Sequence, residues 1–347
     1  MRSLVVAITI VLTSLASSPA LAGGSQAQRP SSTADVHANV QRYHRVWKAV
    51  KDHYYLPERL TDWGRWEHQF DAVLYDQSAT RDAIAEMLDS LEDDFCYLKQ
   101  PEETVEANVK YELKTGCVSF RKLPGNIGYI KIDSFKCKGV VHEVRRALCK
   151  LCNADGYVVD LRDNPGGYVK LAYSVFSMFA DSDQFATYIT RDKDKPSNTE
   201  LLLTRQSELL VCDGVPYKAA RQLNVVKHKP VVALVNEDTR SAAEMLAGAL
   251  RENGIATLVG VKTFGKGVLQ NTLDLDDGSS VKIVIGRYFL PAGECIHGSG
   301  IVPDLVVPSS PAGCVDIQLS EALRTIRLHR QLAHCGRDSA HQAGANL

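Results

Sequence analysis

An excess of charge of either sign is missing from this 347-residue sequence, where 40 Lys and Arg stand against 41 Asp and Glu. A balance this close to neutral sets up no field to gather a polyanion, and no dense basic block interrupts it, so nucleic acid is excluded as a partner. A second long apolar run is also missing. The one at the N-terminus, Leu4 to Leu15, falls short of the about 20 residues that a bilayer span needs. It follows Arg2 and precedes Ala20-Leu21-Ala22, the pattern of an export signal cleaved after Ala22. The expectation is a periplasmic or secreted protein with no stable membrane insertion after cleavage. Internal repeats are absent too, which excludes a repeat array.

Cysteine is not scarce. Nine occur, at Cys96, Cys117, Cys137, Cys149, Cys152, Cys212, Cys295, Cys314 and Cys335. An odd number leaves at least one free or paired between chains, and the connectivity is open. The Cys149-Lys150-Leu151-Cys152 spacing invites a zinc or redox reading. It ends a helical pattern, however, and no second pair follows at ligand spacing. Structural thiols or disulfides are therefore expected, and no metal.

Residues 1–22 read as the signal and 23–35, rich in Gly, Ser, Gln, Ala and Thr, as a flexible leader. Over 36–104 the apolar periodicity is helical: Val40, Tyr43, Trp47, Val50 and Tyr54, then Trp63, Trp66 and Phe70, with a further helix opening at Thr80. This predicts a small N-terminal helical domain with an aromatic core. The core domain, 105–323, alternates strands with helices. Strands are expected at Ile127–Ile132, Gly156–Leu161, Val231–Val235 and Thr257–Val261. A hairpin is expected around Asp277-Gly278. Such alternation predicts a layered α/β core. Residues 324–347 read as a last helix and polar tail.

Three places join a strand end to a small-residue turn. Asp160-Leu161-Arg162-Asp163-Asn164-Pro165-Gly166-Gly167 pairs two glycines before a helix, where N–H groups can face a developing oxyanion or simply close a tight turn. No Lys-Ser/Thr follows at phosphate-loop spacing. Ser241 opens a helix with Glu244 three residues on, the pattern of a capping box, yet its oxygen would also lie beside the N–H of Ala242. Lys266 stands between Gly265 and Gly267, after an apolar strand, with Gln270 in reach. Most lysines are solvated surface charges. One held in an apolar pocket loses solvation; a fall in pKa from ~10.4 to ~7.5 costs roughly 4 kcal/mol and leaves a neutral amine able to take a hydroxyl proton.

Taken together these segments resemble the carboxyl-terminal processing (tail-specific) serine proteases. The likeness rests on Ser241-Ala242-Ala243-Glu244, Thr263-Phe264-Gly265-Lys266-Gly267 beginning its lysine 25 positions after the serine, the Asp160–Gly167 turn, and Gly298-Ser299-Gly300-Ile301-Val302-Pro303-Asp304. It covers about Arg42 to Val307. The resemblance implies an α/β fold with a crotonase/Clp-protease-like spiral core and a small N-terminal helical domain. It further implies a Ser–Lys dyad with Ser241 as nucleophile, Lys266 as base and Gln270 orienting the lysine. The oxyanion would be bound by the N–H of Ala242 and of Gly166 or Gly167, with Gly166 preferred. The substrate would be a protein or peptide, cleaved through an acyl-enzyme, with no cofactor; an oligomer is compatible with the pattern.

Two departures stand out. Only about 30 residues separate Phe95 from Gly125, too few for the PDZ domain that family members usually carry there. Arg240 stands where a small residue is common, and either faces the cleft to favour acidic substrates or points outward. Three other readings compete. They are a Ser–His site built on His297 with Asp160 or Asp304, a non-catalytic binding protein on the same fold, and an acyl-CoA enzyme, which the export signal argues against.

Overall fold

The computed structural model describes residues 32–105, 116–180, 184–192, 195–202, 209–212, 215–218, 224–226, 228–311 and 313–344. The expected signal, its cleavage site after Ala22 and most of the leader lie outside the described residues. No helix among the described residues is long and apolar enough to cross a membrane.

Helix α1, Thr33–His53, takes in the last three residues of the expected leader because Ser32 and Asp35 cap it reciprocally. Helix α2 spans Gln77–Asp89 rather than opening at Thr80: the Asp76 carboxylate accepts the Ala79 N–H at 2.8 Å and fixes the start earlier. Between them run two short 3₁₀ turns, Pro57–Leu60 and Trp63–Trp66. Strand β1, Tyr97–Lys99, closes the segment.

The chain then builds a central sheet from β2 (Val118–Leu123), β3 (Ile127–Ile132), β4 (Gly156–Asp160), β9 (Val231–Val235), β10 (Ala256–Gly260) and β13 (Leu305–Val306), in the order β13-β10-β9-β4-β3-β2. All neighbours are parallel except β2 with β3. Every residue of β4 and β9 is buried, as expected of parallel strands covered on both faces. One face carries α3 (Val140–Lys150), α4 (Val169–Phe176) and α5 (Ala242–Glu252), packed with Tyr157, Val159, Ala233 and Val235. The other is covered by α6, Ile317–Gly344, whose Ala322 and Ile326 pack on Val158, Val232, Leu234 and Val259. The last helix thus starts well before residue 324 and contributes to the core.

A second sheet holds β11 (Val268–Asp274), β12 (Ser280–Phe289), β1, β5 (Thr187–Asp192) and β6 (Lys195–Leu202). The expected hairpin is present, with β11 and β12 antiparallel around Asp277-Gly278. Strands β5 and β6 and the separate pair β7 (Leu209–Cys212) and β8 (Val215–Lys218) had no counterpart in the sequence reading. The N-terminal helices do not stand apart. Tyr43, Val46, Trp47, Val50, Ile84 and Met87 share one apolar cluster with Val281, Ile283 and Val284 of β12.

Cys117 and Cys137 form a disulfide. Cys96, Cys149, Cys152, Cys295 and Cys314 are thiols, with Cys96 buried and the Cys149/Cys152 pair exposed.

Arg162 joins the turn after β4 to α6. It pairs with Asp160 at 2.6 Å and with Asp316 at 2.9 Å, while Tyr129 Oη also donates to Asp160 at 2.6 Å. The Asp160 side chain is fully buried, so Arg162→Met strands its charge. The expected loss is about 3–5 kcal/mol of unfolding free energy. Urea titration at neutral pH measures it, and a loss below about 1 kcal/mol would mean the pair behaves like a surface ion pair.

Candidate active site

The turns after β4, β9 and β10 leave the same edge of the central sheet. In open α/β sheets this carboxyl edge is where ligands bind. The turns are interlocked by their own backbone and short side chains. Thr239 Oγ1 donates to Leu161 O at 3.0 Å, and the Arg240 N–H donates to Asn164 O at 2.9 Å. The Phe264 N–H donates to Thr239 O at 3.1 Å. Asn236 Nδ2 donates to Asp163 Oδ1 at 2.8 Å.

Ser241 is the N-cap of α5 with φ 54° and ψ −121°. A residue with a Cβ rarely holds a positive φ, and the conformation costs on the order of 1–3 kcal/mol. What compensates is Glu244, which sequence patterning reads as the far arm of a capping box. Its fully buried carboxylate does more than that. It accepts the Ser241 N–H at 2.8 Å, Thr263 Oγ1 at 2.5 Å, the Gly265 N–H at 2.7 Å and the Lys266 N–H at 2.9 Å. One carboxylate therefore ties the serine turn to the lysine turn. Burial pushes its carboxyl up, opposed by these four hydrogen bonds. Tyr288 Oη adds a second bridge, 2.8 Å from Lys266 O and 3.2 Å from Ser241 O.

Lys266 is half-buried. Its Nζ donates to Gln270 Oε1 at 2.6 Å and lies 5.1 Å from the Phe95 ring centre. Gln270 is held in turn, its Nε2 donating to Phe95 O at 2.7 Å. Burial brings the Lys266 pKa down to about 8, helped by the positive charges of Lys136, Lys282, Arg240 and Lys99. Among the described residues its amine makes this one hydrogen bond and none to Ser241 Oγ.

Both paired glycines have positive φ, 84° at Gly166 and 143° at Gly167. A Cβ on Gly166 would sit 2.6 Å from Arg240 O and 3.0 Å from Ala242 N, so only glycine lets this turn lie against Ser241–Ala242. Gly166 is the glycine that the resemblance implies as the preferred oxyanion donor. Its N–H is already donated to Asn164 Oδ1 at 2.9 Å. Of the pair, Gly167 keeps its N–H without an acceptor among the described residues, as does Ala242.

Arg240 stacks over Phe264, 4.2 Å to the ring centre, and pairs with Asp238. Its charge is thus partly neutralised beside the lysine turn. The His297 ring lies tilted against Phe95, centres 5.5 Å apart, and its Nδ1 has no partner among the described residues. The carboxylates offered to it are committed elsewhere, Asp160 to Arg162 and Tyr129, and Asp304 to the Leu258 N–H at 2.7 Å. Among the described residues no Ser–His–Asp chain forms.

Sequence reasoning missed Phe95, which holds Gln270 across a separation of 175 residues, and it missed the bridging roles of Glu244 and Tyr288. Only the fixed Ser-x-x-Glu spacing carried a local hint, and it pointed to a cap.

A family model for peptidase family S41 matches residues 126–307. A carboxyl-terminal-processing protease of Picosynechococcus sp. is 33% identical over 221 residues, covering 61% of this chain and 48% of that protein. The carboxy-terminal processing protease CtpA of Bacillus subtilis is 36% identical over 182 residues, covering 52% and 34%. The chain thus spans about half or less of the length of these curated relatives. Among solved structures, the photosystem II D1 C-terminal processing protease superposes with TM-score 0.61 at 19% identity, over 78% of this chain and 93% of that one. A lipoprotein of Streptococcus agalactiae superposes at 0.66 and 16%, over 84% and 97%. At such identities these two matches concern the fold.

A lysine with a pKa of about 8 in the fold and 10.5 unfolded costs stability while it is charged. Between those values the unfolded chain binds more protons, so stability rises with pH; below 8 the full penalty, about 3 kcal/mol, is present. Lys266→Met is therefore expected to be more stable than the native chain at pH 7 and to lose the extra gain between pH 8 and 10. Urea unfolding of both proteins at pH 7 and pH 10 measures this. Equal stability at both values would mean a solvated ammonium.

Proposed function

The chain belongs to peptidase family S41, and on that premise we propose that it is a serine endopeptidase working through a Ser241–Lys266 dyad. The observation that carries this reading is the Lys266 amine. It is half-buried, oriented by Gln270, poised near pH 8, and on a turn tied to that of Ser241 by one carboxylate.

In the proposed reaction the neutral amine takes the proton of Ser241 Oγ as that oxygen attacks the peptide carbonyl. Hydrogen bonds of this kind are often long in an unliganded site and close in the substrate complex. The negative charge that develops on the carbonyl oxygen is met by the N–H groups of Ala242 and Gly167, both lacking an acceptor among the described residues. The ammonium of Lys266 then gives its proton to the leaving nitrogen, the C–N bond breaks and Ser241 carries the acyl group. Water, deprotonated by the same amine, releases it. Gln270 keeps the amine directed throughout, and Phe95 keeps Gln270. No cofactor enters these steps.

The substrates proposed are exported proteins, cut near their C-termini and bound as an extended strand. With about 30 residues between Phe95 and Gly125, selection falls to the cleft itself. Arg240, stacked on Phe264 and paired with Asp238, is read as shaping the rim of that cleft rather than as a free carboxylate receptor.

Ser241→Ala and Lys266→Ala are each expected to lower cleavage of a mixed peptide pool by on the order of 10⁴-fold. Equal cleavage by the native protein and the serine variant would refute the dyad. No cleavage by either would leave a non-catalytic binding protein on the same fold.

Because the base must be neutral, kcat/KM is expected to rise with pH through about 8. In Gln270→Glu the added carboxylate favours the ammonium, so the rising limb moves to higher pH. A limb near 6.5 in both proteins would point to a histidine base instead.

A further inference from the structure

Away from the serine–lysine edge, on the outer side of the N-terminal helices, two imidazoles converge on one carboxylate. His44 lies on α1, and His68 and Asp71 lie three residues apart in the segment after the second 3₁₀ turn. His44 Nε2 is 3.0 Å from Asp71 Oδ1, and His68 Nδ1 is 2.9 Å from Asp71 Oδ2. Their ligand atoms all lie within 4.8 Å of one another, and the two rings meet edge-on at 5.1 Å. We propose that His44, His68 and Asp71 form a binding site for a divalent late transition metal ion of the zinc class, independent of the peptidase site.

The donor set decides the class. Two imidazole nitrogens with one carboxylate oxygen suit zinc and its neighbours, whereas magnesium and calcium favour oxygen donors. Metal–ligand distances of about 2.0–2.2 Å put tetrahedral ligands about 3.4 Å apart, so modest rotation of the side chains brings the three donors onto one ion. Binding displaces the protons that now bridge imidazole and carboxylate, either to the outer ring nitrogens or to solvent. Water would fill the remaining positions.

The support under the three side chains is rigid. Tyr43, adjacent to His44, donates its Oη to Trp66 O at 2.6 Å and packs edge-on against Phe70 at 5.9 Å. Trp47 and Trp63 exchange indole-to-carbonyl hydrogen bonds at 3.0 and 3.1 Å. Beyond Asp71, Asn39 Nδ2 reaches Leu74 O at 3.3 Å. The segment bearing His68 and Asp71 is thus fastened to α1 on both sides, and little ordering remains to oppose binding. A bound ion would staple this segment to α1.

The test is zinc titration of the full chain by calorimetry, together with thermal melts, for the native protein, His68→Gln and His44→Gln. The His68 side chain is 70% exposed, so its replacement leaves packing unchanged. The expected result is one zinc per chain at this site and a rise in Tm with zinc that EDTA reverses and magnesium does not produce. Each variant should lose at least about tenfold in affinity. Absence of uptake at millimolar zinc would overturn the proposal and leave a hydrogen-bonded His–Asp–His cluster. Unchanged uptake in both variants would overturn it too, moving the metal to other groups such as the exposed thiols of Cys149 and Cys152.

Discussion

A single buried carboxylate holds the candidate site together. Glu244 accepts four hydrogen bonds, one from the serine turn and three from Thr263, Gly265 and Lys266. Without those donors, burying the charge would be prohibitive; with them, it fixes two turns that leave different strands. The unusual φ of Ser241 and the approach of Gly265 to its neighbours both depend on that anchoring. Hydrogen bonds to ionised groups are strong in a low-dielectric interior, so one side chain can set a geometry that several weak contacts could not.

The lysine is controlled from a second direction. Its amine is turned by Gln270, and Gln270 is held by the backbone of Phe95, at the end of the N-terminal helical segment. The aromatic cluster around Trp47 and Trp63 therefore has a consequence beyond stability. By packing on Val281, Ile283 and Val284 of β12, it brings Phe95 to the lysine. The helices and the candidate-site edge share contacts, and the desolvation that lowers the Lys266 pKa is a tertiary effect supplied in part by Phe95.

Much of the architecture was legible locally. The buried strand Val231–Val235 matches its expected limits, as does Ile127–Ile132, because runs of β-branched residues bounded by turns leave little choice. The Asp277-Gly278 turn announced the β11–β12 hairpin. The early start of α2 was missed because Asp76 caps it before the apolar period begins. The paired glycines flagged a turn of positive φ, but not which N–H lacks an acceptor among the described residues. That depended on Asn164 folding its side chain back onto Gly166.

What the sequence determined by itself was the set of groups available: a serine at a helix start, a lysine between glycines 25 positions later, a glutamine four residues beyond it, and alternating strands and helices to carry them. These depend on short-range periodicity and turn chemistry, which a chain displays without being folded. Only the tertiary structure decided that Phe95 covers the lysine, that Glu244 spans both turns and that, among the described residues, Gly167 keeps its N–H without an acceptor and His297 finds no carboxylate. Each of those depends on contacts between residues distant in the chain, and burial, hydrogen-bond competition and charge proximity have no local signature.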